Sequence, residues 1–294
     1  MIPLAKEITA ALVFEHLPVR KPDSHKGSYG SLLCVCGSLQ YRGAAALATE
    51  GALRSGAGLV TLATTEPVIQ TVSTRCPEAI FLPCTPNQQG GICQTNGSAL
   101  LEKARGCNAL LFGPGLGNTP DTAALLELLG PGAGCSMVLD ADGLNAAATL
   151  EELPRPINLP LVLTPHPGEM ARLCGMTTAE INANRESIAA GYARANRCVV
   201  VLKGHKTIVA GPQGEVFRNT TGNPGLSRGG SGDILAGITA SLLCQGLDPL
   251  YAAVCAVWLH GAAADRCSTR LGQYGMLPHD ILVDLGHIFA ENGR

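Results

Sequence analysis

The feature that most constrains this chain is a repeated alternation. Short, continuous apolar runs recur, and most are followed by a glycine-rich or polar loop and then a stretch of helical spacing. The runs are Ser31–Cys36, Leu59–Ala63, Ile80–Leu82, Ala109–Phe112, Met137–Asp140, Leu161–Thr164 and Cys198–Leu202. Apolar runs this short, bounded by turn residues, predict strands buried on both faces. Helical segments lie between them at Gly43–Leu53, Leu100–Arg105, Asp121–Leu129 and Thr178–Ala195, the first rich in alanine and closed by Gly56 and Gly58. Thr207–Ala210 and Glu215–Phe217 flank Pro212-Gln213-Gly214 as a hairpin, and Tyr251–Ala264 reads as a further helix. Alternation of this kind predicts an α/β fold: a doubly wound, mostly parallel central sheet with helices on both faces.

Composition sets the scale. The 294 residues are 46% hydrophobic, enough for one large core, and no linker, charge block or short repeat divides them. One domain over 1–294 is expected, with residues 8–18 as an amphipathic helix and about 1–25 as an N-terminal extension packed on the rest. Only 15% of residues are charged and the net charge is −2, which gives no electrostatic case for nucleic acid or an anionic membrane as partner. The twelve cysteines are scattered, mostly in apolar company and without a C-x-x-C pair, and read as small buried hydrophobes in a reducing compartment. Cys34 and Cys36 are assigned to opposite sides of their strand. The N-terminus has no signal-peptide pattern, and the longest apolar run, Leu250–Ala264, is shorter than a membrane span and contains His260. A soluble, cytoplasmic protein is the expectation.

In open parallel sheets, ligands bind beyond the carboxyl ends of the strands. Gly113–Gly117, Asp140–Asn145, Thr164–Glu169, Lys203–Thr207 and Asn219–Asp233 all fall there. The last is the most informative. Gly229, Gly230, Ser231 and Gly232 crowd the chain just before the helical register of Ile234, Leu235, Ile238 and Leu242, with Asp233 at the seam. Glycines let a backbone approach a ligand, and the free N–H groups of a helix start form an anion hole. Asp233 is then either a helix cap or a base beside a bound phosphate, and the companion loops favour the base. Phosphoryl transfer needs donors around the moving group and a base at the attacking hydroxyl. Lys203 and Lys206 are either solvated loop ends or phosphate neutralisers. His166, between Pro165 and Pro167, is a rigidly held ring that is either structural or a substrate contact. Gly113–Gly117 is a tight turn or a loop for close approach, and lacks the spacing of a dinucleotide fingerprint. Asp140 and Asp142 can anchor loops or hold magnesium through water, with anchoring the stronger reading for Asp140.

These loops also carry a resemblance. Lys26-Gly-Ser-Tyr-Gly30, Gly43-Ala-Ala45, Gly56-Ala-Gly-Leu-Val-Thr61, Gly113-Pro-Gly-Leu-Gly117, Leu139-Asp-Ala-Asp-Gly-Leu-Asn145, Leu163-Thr-Pro-His-Pro-Gly-Glu169, Val201-Leu-Lys-Gly204 and Thr221-Gly-Asn-Pro-Gly225 with Gly229-Gly-Ser-Gly-Asp233 occur in this order. Together they resemble the ADP/ATP-dependent NAD(P)H-hydrate dehydratases, which have a ribokinase-like fold. The resemblance runs from about Lys26 to the end of the chain. It implies an enzyme of nicotinamide nucleotide repair, a carbon–oxygen lyase acting on the S epimer of hydrated NADH and NADPH. The C6 hydroxyl would be phosphorylated by ADP, with ATP possible, and phosphate would then leave, giving NAD(P)H, AMP and phosphate. The resemblance also implies Mg2+, a homotetramer, and a functional link to a separate NAD(P)H-hydrate epimerase. Some relatives carry that epimerase as a fused N-terminal domain, which is expected to be absent here.

Residue by residue, the resemblance puts Asp233 on the family's catalytic base. It puts Ala44 or Ala45, Gly117 and His166 on positions that touch the hydrated dinucleotide, and Lys203, Gly204, His205, Lys206, Thr207 and Gly232 on nucleotide contacts. It leaves the ligands of the magnesium open. Leu226-Ser227-Arg228 departs from the Met-Ala-Thr or Met-Ala-Lys of many members, so that Arg228 is either an added phosphate contact or a solvent-facing residue. The chemistry agrees with the residues: hydroxide leaves poorly and phosphate leaves well, so a kinase-like site suffices for a dehydration. The alternatives are a ribokinase-like kinase of a small alcohol such as a vitamin precursor, which would release a stable phosphate ester, and a nucleotide-binding regulator without turnover, which would have no need of Asp233.

Overall fold

The computed structural model describes residues 5–294, so residues 1–4 of the expected N-terminal extension lie outside the described residues. Every expected strand forms. In chain order they are β1 (Lys6–Glu7), β2 (Ser31–Val35), β3 (Leu59–Thr65), β4 (Ile80–Cys84), β5 (Ala109–Phe112), β6 (Ser136–Leu139), β7 (Leu161–Leu163), β8 (Val199–Leu202), β9 (Ile208–Ala210) and β10 (Val216–Arg218), of which β1 was not foreseen. They form one ten-stranded sheet in the order β1-β10-β9-β8-β7-β6-β5-β2-β3-β4. β2 through β8 run parallel. β9 is antiparallel to both neighbours, so β10 and β1 return to the common direction.

The helices are α1 (Ala10–His16), α2 (Arg42–Arg54), α3 (Glu66–Ser73), α4 (Gly97–Arg105), α5 (Pro120–Gly132), α6 (Asp142–Ala147), α7 (Pro167–Cys174), α8 (Thr178–Ala183), α9 (Arg185–Asn196), α10 (Ser231–Cys244), α11 (Pro249–Gly275) and α12 (Ile281–Glu291). Buried residues of α1–α3 and α10–α12 pack on one face of the sheet, and those of α4–α9 on the other. β2 shows how one short run serves both faces. Leu32, Cys34 and Cys36 point to the first layer, Leu33 and Val35 to the second. Cys34 and Cys36 therefore share a side, which corrects the expectation of opposite sides: strand side chains alternate with period two. No helix among the described residues is long and apolar enough to cross a membrane.

Several helical details depart from the sequence reading, among them α3 and α12, which were not foreseen. The segment Thr178–Ala195 is two helices, because Asn184 leaves the helical region (φ −134°) and serves as the C-cap of α8 and the N-cap of α9. α7 was missed because it starts inside the Pro-His-Pro loop, where Pro167 holds the first-turn position that proline favours. α11 runs beyond Ala264 to Gly275, with a break at Gly272 (φ 68°).

Two features of the packing place the site. The chain leaves β2 toward β3 on one side and β5 toward β6 on the other, so the β2/β5 boundary is the point where the winding reverses. Ligands bind in the crevice at such a point. The second feature is α10, which lies almost against α2. A Cβ on Gly237 would stand 2.1 Å from the Ala48 carbonyl oxygen. Glycine there lets the backbones touch and fixes the start of α10 above the carboxyl ends of β5 and β6.

Candidate functional site

The loops after β5, β6, β7, β8 and β10 gather on the carboxyl edge, as the sequence predicted, and hydrogen bonds between them set their geometry. The Gly37 N–H, after β2, donates to the Pro114 carbonyl (2.8 Å), closing the switch-point crevice from below. Tyr41 and Ala44, at the start of α2, pack against Gly115, where an added Cβ would meet their Cβ atoms at 2.7 and 2.8 Å. Ala44 is half-buried, whereas Ala45 is fully buried, its methyl group against Gly37. Of the two candidate positions, Ala44 is the one with surface at the crevice. The Gly117 N–H donates to Asp142 Oδ2 (2.8 Å), and Asp142 Oδ1 accepts from Asn145 Nδ2 (3.4 Å), so Asp142 ties the β5 loop to the β6 loop.

Asp140 is almost wholly buried. Its Oδ1 accepts from Thr164 Oγ1 (2.7 Å) and from Lys203 Nζ (2.7 Å). Lys203 Nζ also lies 3.7 Å from Glu169 Oε2. Burial alone would lower the Lys203 pKa, but Asp140, Glu169 and Asp233 together outweigh it and raise it, so the ammonium is permanently charged. Glu169 is held above the usual carboxylate range by burial, with Asp140 adding to the shift and Lys203 opposing it. Lys203 is thus no solvated loop end. It is the centre of an ion cluster joining the ends of β6, β7 and β8.

His166 is the N-cap of α7. Its Nδ1 accepts from the N–H groups of Gly168 (2.9 Å) and Glu169 (3.3 Å), and its own N–H donates to Glu169 Oε2 (2.7 Å). With Nδ1 accepting, the ring proton sits on Nε2, 3.4 Å from Glu169 Oε1. Burial, Lys203 and Arg172 lower its pKa, so the ring is neutral near pH 7 and its side chain stays half exposed at the site. After β8, Gly204, His205 and Lys206 are exposed and Thr207 half-buried. Arg185, at the start of α9, shapes that loop by donating to the carbonyls of Leu202 (2.8 Å), Lys203 (3.1 Å) and His205 (2.5 Å).

The glycine loop closes the arrangement. Gly230 (φ 100°) is the N-cap of α10, and a positive φ there favours glycine. No side chain caps the start of α10, where the Ser231 N–H donates to the Arg228 carbonyl (3.4 Å), and Lys203 lies beside the first turn: a Cβ on Gly232 would stand 3.3 Å from Lys203 Nζ. Asp233 lies on that first turn, and among the described residues no protein donor reaches its carboxyl. Burial pushes its pKa up to about 7; Asp140, Asp142 and Glu169 add to the shift and Lys203 opposes it. Arg228, exposed, donates to the Tyr274 carbonyl (2.6 Å), binding the loop to the far end of α11.

Several contributors had no signal in the sequence. Thr164 and Arg185 act through hydrogen bonds to partners far away in the chain. Asp265 of α11 accepts from the Gly222 N–H (2.8 Å) and Asn223 Nδ2 (2.9 Å), fixing the approach to the glycine loop. His260, one turn earlier on α11, lies buried behind Ser231. The arrangement as a whole brings together an uncapped helix start, a fixed cation and a carboxyl that titrates near neutrality, beside the switch point.

Known proteins align with this layout. The sequence pattern of the NAD(P)H-hydrate dehydratase family matches residues 32–285. The chain is 39% identical over 279 residues to the ADP-dependent (S)-NAD(P)H-hydrate dehydratase of Xanthomonas campestris, covering 95% of this chain and 94% of that protein. It is 43% identical over 284 residues to the bifunctional NAD(P)H-hydrate repair enzyme Nnr of Moorella thermoacetica, covering 97% of this chain but 54% of that protein, so it spans about half the length of this bifunctional relative. A crystal structure of the ADP/ATP-dependent NAD(P)H-hydrate dehydratase of Bacillus subtilis, co-crystallised with ATP and Mg2+, superposes with a TM-score of 0.85 at 33% identity, covering 98% of this chain and 99% of that one.

Proposed function

The chain belongs to the NAD(P)H-hydrate dehydratase family, and on that premise we propose that it converts the S epimer of hydrated NADH and NADPH to NADH and NADPH at the expense of ADP. The observation that carries this reading is Asp233: a carboxyl with no protein donor among the described residues, titrating near pH 7, on the first turn of a helix that starts beside a fixed lysine.

In this reading the nucleotide lies along Lys203–Thr207, with its terminal phosphoryl group in the hole of Gly229–Gly232. The hydrated dinucleotide lies in the switch-point crevice against Ala44, Gly117 and His166. Asp233 takes the proton of the C6 hydroxyl, whose oxygen attacks the terminal phosphorus of ADP; a C6 phosphate ester forms and AMP leaves. The lone pair of the adjacent ring nitrogen then expels phosphate, and loss of a C5 proton restores the ring double bond. The protein's work is therefore to bind, orient and deprotonate.

Mg2+ fits the donor set. No group of three His, Cys, Asp or Glu side chains among the described residues forms a cage, and magnesium commonly takes one or two carboxylates with phosphate oxygens and water. Asp140, whose Oδ1 is engaged while Oδ2 has no protein donor among the described residues, is the carboxylate that would hold it, together with the nucleotide's oxygens. Bound there, the ion would neutralise phosphate charge. A homotetramer, and a separate epimerase supplying the S epimer, complete the proposal.

The test mixes the protein, Mg2+, hydrated NADH and either ADP or ATP and follows the NADH absorbance band while assaying free phosphate. Recovery of NADH with one phosphate released per turnover is expected, with ADP the better donor. No recovery with either nucleotide sinks the reading. A stable phosphate ester without free phosphate would indicate a small-molecule kinase.

A further inference from the structure

Three arginines line a cleft at the opposite end of the molecule from the chemistry above. The cleft holds about 290 Å³ at the amino edge of the sheet, where α2 and α10 end and the chain turns toward β3 at Gly56. Small-molecule sites start at about 300 Å³. α10 runs 14 residues from Ser231 to Cys244, about 20 Å at its rise per residue, so the cleft lies a helix length from Asp233. Leu53, Leu242 and Phe289 give it apolar walls, and Arg20, Arg54 and Arg294 give it charge. No Asp or Glu side chain lines it.

None of the three guanidinium groups is paired with a carboxylate among the described residues, whereas Arg75, Arg218, Arg266 and Arg270 are. Arg20 donates to the Gly56 carbonyl and lies over the Tyr29 ring, 3.9 Å from its centroid. Arg294 donates to the carbonyls of Phe14 (2.5 Å), Leu17 (3.0 Å) and Asn292 (3.2 Å). These acceptors hold both groups in place without neutralising them. Arg54, exposed in the last turn of α2, has no hydrogen-bond partner among the described residues. The helix ends that meet here carry about half a negative charge each, which offsets part of three full positive charges and not all of it. The whole chain has a net charge of −2, so the cleft runs against the sign of the molecule.

We propose that this cleft is a second ligand site, for a phosphate monoester with an apolar or aromatic body. Arginine presents paired N–H donors that match phosphate oxygens, and several arginines together favour a doubly charged head. Arg20 and Arg294 are fixed before the ligand arrives, so little ordering is left to do on binding. Arg54 is the one free to close on the head, and Leu53, Leu242 and Phe289 take the body. The site is independent of the nucleotide and dinucleotide sites at the other edge of the sheet.

The test titrates the full chain with phenyl phosphate in a calorimeter, with ADP and Mg2+ already saturating so that the catalytic nucleotide site is filled. Inorganic phosphate and phenol are titrated separately as the head and the body alone. Phenyl phosphate is expected to bind one site per chain, and inorganic phosphate at least about tenfold more weakly, since it leaves the apolar walls uncovered. Arg54→Gln should weaken phenyl phosphate about tenfold or more, as the loss of a charged donor does, and should leave ADP affinity unchanged. Its Tm without ligand should stay within about 2 °C of wild type, while phenyl phosphate should raise the Tm of wild type and not of the variant. Arg20→Gln gives a second reading of the same affinity. No binding by the ADP-saturated wild type overturns the site, and so does an affinity unchanged in both variants. A lowered Tm in Arg54→Gln with unchanged binding makes the arginine a complement to the helix end only. Equal affinity for inorganic phosphate overturns the apolar body. A protein that binds no ADP overturns the catalytic reading and not this one, because the two arginine variants still locate the phenyl phosphate.

Discussion

Asp140 and Asp233 are carboxyls of one site that the fold handles in opposite ways. Asp140, at the end of β6, is buried and tied at Oδ1 by Thr164 and Lys203, at 2.7 Å each. Asp233, on the first turn of α10, is mostly buried and has no protein donor among the described residues; burial pushes its pKa up to about 7, with the charge on Asp140 adding to the shift. A paired carboxylate in the interior is framework. An unpaired one, kept reluctant to ionise, has the proton affinity that the base proposed above requires. The two are coupled through Lys203, which lies against Asp140 and opposes the rise in Asp233. Asp140 thus sets the proton affinity of Asp233 twice, by its own charge and by holding the lysine in place.

Removing the base should break the comparison most visibly. Asp233→Asn is expected to lower kcat by about 10²–10⁴-fold while ADP binding stays close to wild type; full activity in that variant would refute the assignment. The pH dependence has a definite sign. The wild-type rate should be lost as pH falls through about 7, because the carboxyl takes up the proton it must be free to accept. Stability runs the other way. A carboxyl whose folded pKa lies above its unfolded value destabilises the fold increasingly as pH rises from about 4, with the full penalty above about 7. Asp233→Asn should therefore be more stable than wild type at pH 8, on the order of 1–2 kcal/mol, and equal to it near pH 4. Denaturant melts at the two pH values check this.

The framework carboxyl predicts a pair of opposite shifts. Lys203→Met removes the cation from a buried pair and should cost about 2–4 kcal/mol, at the lower end of the range for such pairs because the lysine is 17% exposed. It should also move the acidic limb of the pH–rate profile upward, since Lys203 holds Asp233 down. Measured at saturating Mg2+, so that any loss of the ion's carboxylate does not set the profile, Asp140→Asn should move that limb downward, since a repelling charge has gone. Shifts of the same sign in both variants would mean that Asp233 does not sense the cluster.

Much of this was legible in the chain. Short apolar runs buried on both faces leave a pattern that survives without a structure, and a glycine cluster ahead of a helical register marks a helix start whose N–H groups are open. What could not be read depends on distance or on rotation. The pairing of Lys203 with Asp140 joins residues 63 apart and is set by neighbouring strand ends, which no local pattern encodes. Which of Ala44 and Ala45 keeps exposed surface is one step around a helix, and follows only once α2 is packed in place. The Pro-His-Pro segment concealed α7 because the prolines were read as stiffeners, whereas one of them occupies a helix's first turn. His260 and Asp265 sit in an apolar helix whose pattern speaks only of burial.

His166 gives the smallest expected effect, and it separates two roles that the sequence left joined. The ring caps α7 through Nδ1, so His166→Ala removes a cap and should cost about 1 kcal/mol. His166→Asn keeps an acceptor able to cap the helix but loses the half-exposed ring face and the Nε2–H. If the ring touches the hydrated dinucleotide, both variants should raise its KM by about threefold to tenfold while KM for ADP stays near wild type, and only the alanine variant should melt earlier. If KM instead follows the melting temperature, disturbed in alanine and normal in asparagine, His166 is a cap that shapes the crevice wall without reading the substrate. The carboxyl comparison would then extend to the imidazole: a side chain at this edge whose polar atoms are committed to the main chain is framework, and the reactive groups are those the fold leaves unpaired.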